Sequence, residues 1–320
     1  MGNRMEMINL GNTGLKTSRL IYGTLPLGPL QAGLAPQEAG RLIRHALESG
    51  VTMVDTAALY ETYPHIRAGL AGFAGEVTIA TKTHATDAAT ARQHVENALR
   101  ELGREQLEIV HLHGARIADP FTDRAAVLDE LYRLREAGKI GQVGLSSHYV
   151  RAVRAAAQNP EIGVIHPLIN REGLGIIDGT AGEMAGAIAA CANAGKGIYA
   201  MKALGGGNFI GTARASIRYV LGISGIQAAA IGMLSREEID ANIALFDNRP
   251  DDEQLWATLE SRRRRLAIMN RFCIGCGACV ATCGSRALRL ENNKAALDEA
   301  ACVLCGYCAA ACPQFLIRVV

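Results

Sequence analysis

What the 320-residue chain has little of narrows its reading first. Lys and Arg number 33 against 31 Asp and Glu, a net charge of +2, so the charge balance calls for neither nucleic acid nor an anionic membrane surface. The opening MGNRMEMINLGNTGLK has no apolar run of the roughly 7–15 residues that a secretory signal requires. The Ala-rich AGEMAGAIAACANAG is among the longest apolar stretches, and it falls short of the ~20 residues of a membrane span. These absences lead to the expectation of a cytoplasmic protein without a membrane or nucleic-acid partner. Low-complexity tracts are missing too, and 49% hydrophobic residues with 20% charged exclude disorder. Cysteine is nearly absent from most of the chain: Cys191 stands alone before Cys273.

Eight cysteines then follow between Cys273 and Cys312. The contrast divides the chain into residues 1–250, a charged linker expected to be helical at 251–271, and a thiol-dense domain at 272–320. In a reducing cytoplasm clustered thiols point to metal ligation before disulfides. Cys273, Cys276, Cys279 and Cys283 have the spacing C-x2-C-x2-C-x3-C, and Cys302, Cys305, Cys308 and Cys312 repeat it, with Pro313 after the last. This is similar to the bacterial two-cluster ferredoxin run, in which the fourth cysteine of each run ligates the other cluster. The resemblance implies two [4Fe-4S] clusters: Cys273, Cys276 and Cys279 with Cys312, and Cys302, Cys305 and Cys308 with Cys283. Zinc is the alternative for any CxxC array, but four-cysteine zinc sites use two separated pairs. Cys191, in an Ala-rich stretch, reads as a buried small residue. The run Arg262 to Arg265 reads as a solvated helix face or as a partner for cluster charge.

Before the tail, short apolar runs alternate with amphipathic stretches. LIYG, VTMVDT, VTIATK, LEIVHLH, QVGLS, GVIHPLI, GIYAMK and AAAIG are the runs, and helical patterns separate them. In one such stretch Val95, Ala98, Leu99 and Leu102 recur at i, i+3, i+4 and i+7. Strands this apolar suit a parallel sheet buried on both faces, and eight units in ~250 residues suit a (β/α)8 TIM barrel, with a small α+β ferredoxin-like domain appended. A doubly wound open sheet is the alternative. Five strands end in polar residues, at Asp55, Lys82, His113, Ser146 with Ser147, and Lys202. Any one could be a simple cap; together they suggest a shared mouth at the C-terminal face of a barrel.

The pieces LGNTGLKTSRLIYGT, VDTAALY, ATK, VHLHG, GKIGQVGLSS, MKALGGG and IGMLSREEIDANI, taken in order, resemble the aldo-keto reductase family from about Leu10 to Phe246. The resemblance implies a catalytic tetrad of Asp55, Tyr60, Lys82 and His113. Carbonyl reduction needs a proton at the developing alkoxide, and a phenol with a pKa near ~10 is a poor donor until a cation stabilises its phenolate. Lys82 is the expected cation, Asp55 its partner, His113 the carbonyl-orienting group and Tyr60 the proton donor. The competing expectation is a rim tyrosine beside a structural ion pair.

The resemblance further implies a nicotinamide dinucleotide across the mouth. Gly23, Thr24, Asp55, Ser146, Ser147, Lys202, Leu204, Gly205, Gly206, Gly232, Met233, Ser235, Arg236 and Asn242 are the candidate contacts. Where NADPH-specific members carry cations, this chain has Gly232 and Glu238, so NADH is preferred to NADPH, with Arg236 as one remaining cation for a 2'-phosphate. The segment ETYPHIRAGL, expected as a loop after Tyr60, departs from the family. Two functions compete. One is an NAD(P)-dependent oxidoreductase acting on a carbonyl or alcohol, with two clusters passing single electrons to a redox partner protein. The other is an iron-sulfur electron-transfer protein whose barrel is a docking or ligand-binding module, its clusters structural or redox-sensing.

Overall fold

The computed structural model describes residues 5–115, 117–314 and 316–319. An antiparallel hairpin, β1 (Met7–Asn9) and β2 (Lys16–Ser18), comes first. Eight strands then alternate with helices: β3 (Leu20–Gly23), α1 (Pro36–Glu48), β4 (Met53–Asp55), α2 (Tyr63–Leu70), β5 (Thr78–Thr83), α3 (Ala88–Leu102) and β6 (Leu107–Gly114). The alternation continues with α4 (Pro120–Asp123), α5 (Ala125–Glu136), β7 (Ile140–Ser147), α6 (Val150–Ala156), β8 (Val164–Pro167), α7 (Ala181–Asn193), β9 (Gly197–Ala200), α8 (Ala213–Leu221), β10 (Ala228–Gly232) and α9 (Arg236–Phe246). The eight strands β3 to β10 are all parallel and close into a barrel in chain order, β10 pairing back onto β3. An open sheet is thereby excluded.

Local chemistry explains the alternation. The strands are short and buried on both faces, as parallel strands between a core and a helical ring must be. In α3 the Asp87 side chain accepts from the Thr90 amide at the N-terminus, and Gly103 ends the helix at φ 65°. Between those caps Val95, Ala98, Leu99 and Leu102 are buried against the sheet. Inside the barrel, Ile21, Met53, Ala80, Ile109, Val164, Tyr199 and Ala228 fill the lower layer, and Leu10 of the hairpin seals the floor. Gly11, at φ 55°, is required there because a Cβ would overlap the Lys196–Gly197 backbone. ETYPHIRAGL is not a loop: after one turn of 3-10 helix it forms α2, which packs on α1.

The remaining elements are α10 (Glu253–Ser261), β11 (Leu266–Ile268), α11 (Ala278–Thr282), β12 (Leu288–Glu291), β13 (Lys294–Leu297), α12 (Tyr307–Ala311) and β14 (Ile317–Val319). Strand β11 pairs antiparallel with β14, and β12 with β13. The α-helix of the linker ends at Ser261. Arg262 is extended, at φ −65° and ψ 151°, and β11 joins the tail's own sheet. Among the described residues no helix is long and apolar enough to cross a membrane.

Candidate active site

The parallel register brings the strand ends into one layer. Asp55 ends β4, Lys82 and His113 lie near the ends of β5 and β6, and Tyr60 closes the 3-10 turn Ala58–Tyr60 beyond β4. His113 pairs with Ser146 and Ser146 with His166 across β6, β7 and β8. Lys82 Nζ donates to Asp55 Oδ1 at 2.6 Å and to the Thr56 carbonyl at 2.7 Å, all buried. The ammonium lies 5.0 Å from the Tyr60 ring centroid, and the Tyr60 ring meets His113 edge-on at 6.0 Å. The four residues of the expected tetrad therefore converge.

Their protonation follows from burial. Desolvation pulls the Lys82 pKa down while Asp55 opposes it. Burial first, then the Lys82 charge, hold His113 well below the usual imidazole value, so it is neutral at pH 7. Tyr60 departs from expectation. Burial, then Tyr307 and Asp55, push its phenol well above 10. Lys82 directs its hydrogen bonds to Asp55 and Thr56, so Tyr60 stays a protonated acid.

Beneath the tetrad lies a network that sequence reasoning missed. Tyr199 Oη donates to Asp55 Oδ2 at 2.8 Å and lies 2.7 Å from His111 Nε2, while His166 stacks on the Tyr199 ring at 4.1 Å. The signal was present: His111 and His113 share one face of β6, two residues apart.

From Tyr60 a cleft runs along the mouth, with about 1120 Å³ of empty space including its open side. Its lining includes Gly23, Asp55, Tyr60 and His166, the residues Lys202, Leu204 and Gly206 of the loop after β9, and Gly232, Glu238 and Asn242, with Gly23 and Gly232 side by side in the sheet. Asn242, in the lining, has a buried Oδ1 without a protein partner, and Ser146 Oγ, which neighbours His113 and His166 across the sheet, is another such atom. A dinucleotide carries amide and amine donors of the kind these atoms lack. Other candidate contacts are turned elsewhere. Thr24 donates to the Asp55 carbonyl, Ser147 Oγ accepts from the Tyr149 amide, and the Met233 carbonyl accepts from Tyr22. Ser235 caps α9, and Gly205 donates its amide to the Lys202 carbonyl without lining the cleft. Arg236 lies with Gln37, Arg41 and Arg44 on another face, so it is no cation for this cleft. Arg264, from the linker, takes that place: it lines the cleft and donates to Gln31 Oε1 at 3.0 Å. Arg262 pairs with Glu238 at 2.6 Å and the helix ends at Ser261, so the arginine run does not form a helix face.

The tail encloses two cavities. Cys273, Cys276, Cys279 and Cys312 line one, and Cys283, Cys302, Cys305 and Cys308 line the other. Each takes three cysteines from one run and the fourth from the other. Electrostatics mark the same partners: burial, then Cys305, Cys302 and Cys283, push the Cys308 thiol up to about 12. Among the described residues no group of His, Cys, Asp or Glu side chains closes on a single metal ion; the cysteines ring apolar-walled cavities instead. An all-thiolate donor set in this crosswise arrangement fits iron-sulfur clusters. Cys191 is buried and donates its thiol to the Val153 carbonyl.

The aldo/keto reductase family model matches residues 19–212, more than half of the chain. The chain belongs to that family. A 4Fe-4S dicluster domain model matches residues 272–316. The chain is 29% identical over 188 residues to aldo-keto reductase YhdN of Bacillus subtilis, covering 52% of this chain and 56% of that one. It is 24% identical over 155 residues to L-galactose dehydrogenase of Arabidopsis thaliana, covering 45% and 49%. The chain thus spans about half the length of these curated relatives. Among solved structures, the aldo-keto reductase PA4992 of Pseudomonas aeruginosa superposes with a TM-score of 0.65 at 26% identity, covering 76% of this chain and 94% of that one. Aldo-keto reductase AKR11C1 of Bacillus halodurans shares the fold, with a TM-score of 0.64 at 18% identity, covering 81% and 96%.

The cysteine-rich domain rests against the barrel mouth. Gln31 Nε2 donates to the Leu304 carbonyl at 3.1 Å, and Asn208 Nδ2 to the Cys302 carbonyl at 2.6 Å. Gly206 is required at this seam, since at φ 75° a Cβ would overlap the Val303 carbonyl. Lys202 is held in the left-handed region at φ 64°. Burial lowers its pKa, opposed by the nearby Cys305 and Cys302. The inner cysteine cavity therefore adjoins the tetrad. The outer one reaches the surface at Cys276, with Met269, Phe272, Ile274 and Leu290 exposed nearby.

Proposed function

We propose that the protein is an oxidoreductase that interconverts a carbonyl and its alcohol with NAD(P)H, and that two [4Fe-4S] clusters in its tail exchange single electrons with a redox partner protein. The observation that carries the first part is the convergence of Asp55, Tyr60, Lys82 and His113 beside a cleft that Asn242 lines with an unpartnered buried oxygen. When bound, the nicotinamide supplies a hydride and the clusters supply or accept single electrons. Tyr60 gives its proton to the carbonyl oxygen, so the carbon gains hydride, the oxygen gains the proton and an alcohol results. Neutral His113 holds that oxygen, and the Asp55–Lys82 pair supplies the local charge. Ser146 would serve the carboxamide and Asn242 the adenine. Glu238 in the cleft lining favours NADH, because a carboxylate suits ribose hydroxyls better than a 2'-phosphate.

Cys273, Cys276, Cys279 and Cys312 would hold the outer cluster, and Cys283, Cys302, Cys305 and Cys308 the inner one. Their inner and outer positions support an electron route between the surface and the barrel mouth. The competing reading, an electron-transfer protein with an inert barrel, is separated by assay. Anaerobically purified protein should oxidise NADH or NADPH with a carbonyl panel, and Tyr60→Phe should lose at least ~100-fold in kcat. Full activity in Tyr60→Phe would sink the acid role. Iron and sulfide near eight each, by the two-cluster stoichiometry, would support the tail assignment, whereas stoichiometric zinc would end it.

A further inference from the structure

Above the tetrad, the barrel mouth is closed by the chain itself. Gly306, at φ 79°, brings its backbone against the Leu30 carbonyl, where a Cβ would overlap. Tyr307, which begins α12, packs from there with Leu25, Leu30, Ala57, Leu59 and Tyr60. Its hydroxyl stands 3.3 Å from His113 Nε2 and hydrogen-bonds with the Tyr60 phenol. Its ring meets the His113 ring edge-on at 6.2 Å. Tyr60 and His113 are the two groups that would grip a carbonyl oxygen. An oxygen of the chain itself already lies within reach of both.

We infer that Tyr307 determines which carbonyls this site accepts: its phenol occupies the oxyanion position, and a substrate binds by taking the place of that ring. The inference rests on the reading of Tyr60 and His113 as the pair that holds the reacting oxygen. The space around the ring is walled by Leu25, Leu30, Leu59 and Ala57, so the group that replaces it is flat and apolar. An aryl aldehyde matches that space. A polyhydroxylated aldehyde would bury hydroxyls with no partner against those walls. Tyr307 also lies between Cys305 and Cys308 in the segment that lines the inner cysteine cavity. Displacing the ring therefore disturbs that segment, and substrate binding is felt at the inner cluster site.

The test uses full-length, iron-replete protein under anaerobic conditions, with 4-nitrobenzaldehyde and glyceraldehyde as probes. Tyr307→Phe keeps the packing and removes the competing hydroxyl. It should lower KM for 4-nitrobenzaldehyde about tenfold, a change of about 1.4 kcal/mol, with kcat held within about twofold. Tyr307→Ala should in addition admit 2-naphthaldehyde, and glyceraldehyde should remain a poor substrate of the wild type. A second measurement needs no turnover: amide hydrogen exchange across residues 302–308 should rise when 4-nitrobenzyl alcohol binds the wild type.

A kcat loss of ~100-fold in Tyr307→Phe with KM unchanged would make Tyr307 a proton carrier and overturn the inference. Kinetics equal to wild type in both variants would overturn it too, as would exchange that ignores the alcohol. If the wild type turns over no probe yet its 302–308 exchange responds, the reductase reading fails while displacement of the Tyr307 ring by an aryl ligand stands.

Discussion

Tyr199 donates its phenol to Asp55 Oδ2 at 2.8 Å, on the oxygen that Lys82 leaves free. The carboxylate at the centre of the site is thus held from both sides, by a cation above and by a barrel-interior hydroxyl below. Removing the lower partner leaves a buried acceptor unsatisfied. Tyr199→Phe should cost about 1–3 kcal/mol in urea unfolding and lower kcat by less than about tenfold. An unchanged stability would mean that the Asp55 oxygen finds another donor.

The same interior layer predicts acid sensitivity. His111 and His166 are buried, and desolvation first, then neighbouring charge, hold both well below the ordinary 6.5. Below pH 6.5 the unfolded chain binds protons that the folded chain refuses. Stability present above that pH is therefore lost as pH falls, at up to about 1.4 kcal/mol per pH unit for each group. Unfolding free energies at pH 7.5, 6.5 and 5.5 check the slope, and His166→Gln should flatten it. Equal stability at the three pH values would refute the assignment.

Lys202 links the cleft to the tail. Its half-buried ammonium lies near Cys302 and Cys305, so Lys202→Gln should make the inner cluster harder to reduce, by on the order of 50 mV. Potentiometric EPR titration resolves the two clusters. A shift confined to the outer cluster would contradict the crosswise ligation as well.

Arg264 and Glu238 should separate affinity from selectivity in the cleft. Arg264→Gln removes the cation beside Gln31 and should weaken both dinucleotides about tenfold, the order of one charge-assisted hydrogen bond. Glu238→Gln should instead raise NADPH affinity relative to NADH. Fluorescence titration gives each Kd without turnover, and equal effects of both substitutions on both dinucleotides would contradict the division.

Much of the barrel was legible because its signals are local. The apolar runs from LIYG to AAAIG all became strands, and α3 buries the residues its 3.6-residue period marks. Asp55, Lys82 and His113 stood at strand ends, so the closure of the sheet had only one mouth in which to gather them. Tyr199 was hidden because an inward phenol in a strand has the pattern of any core residue. The arginine run misled for a different reason: composition suggested a helix face, whereas Arg262 answers to Glu238, far away in the chain.

By itself, the sequence determined the alternating units, the boundary drawn by the cysteines and the types of residue available for chemistry, since periodicity and spacing are properties of neighbouring positions. Only the tertiary structure decided that Arg264 and not Arg236 enters the cleft, and that Tyr307 meets His113. Those contacts depend on where the tail comes to rest against the barrel. That docking is set by shape at Gly206 and Gly306, where two backbones touch because no side chain stands between them.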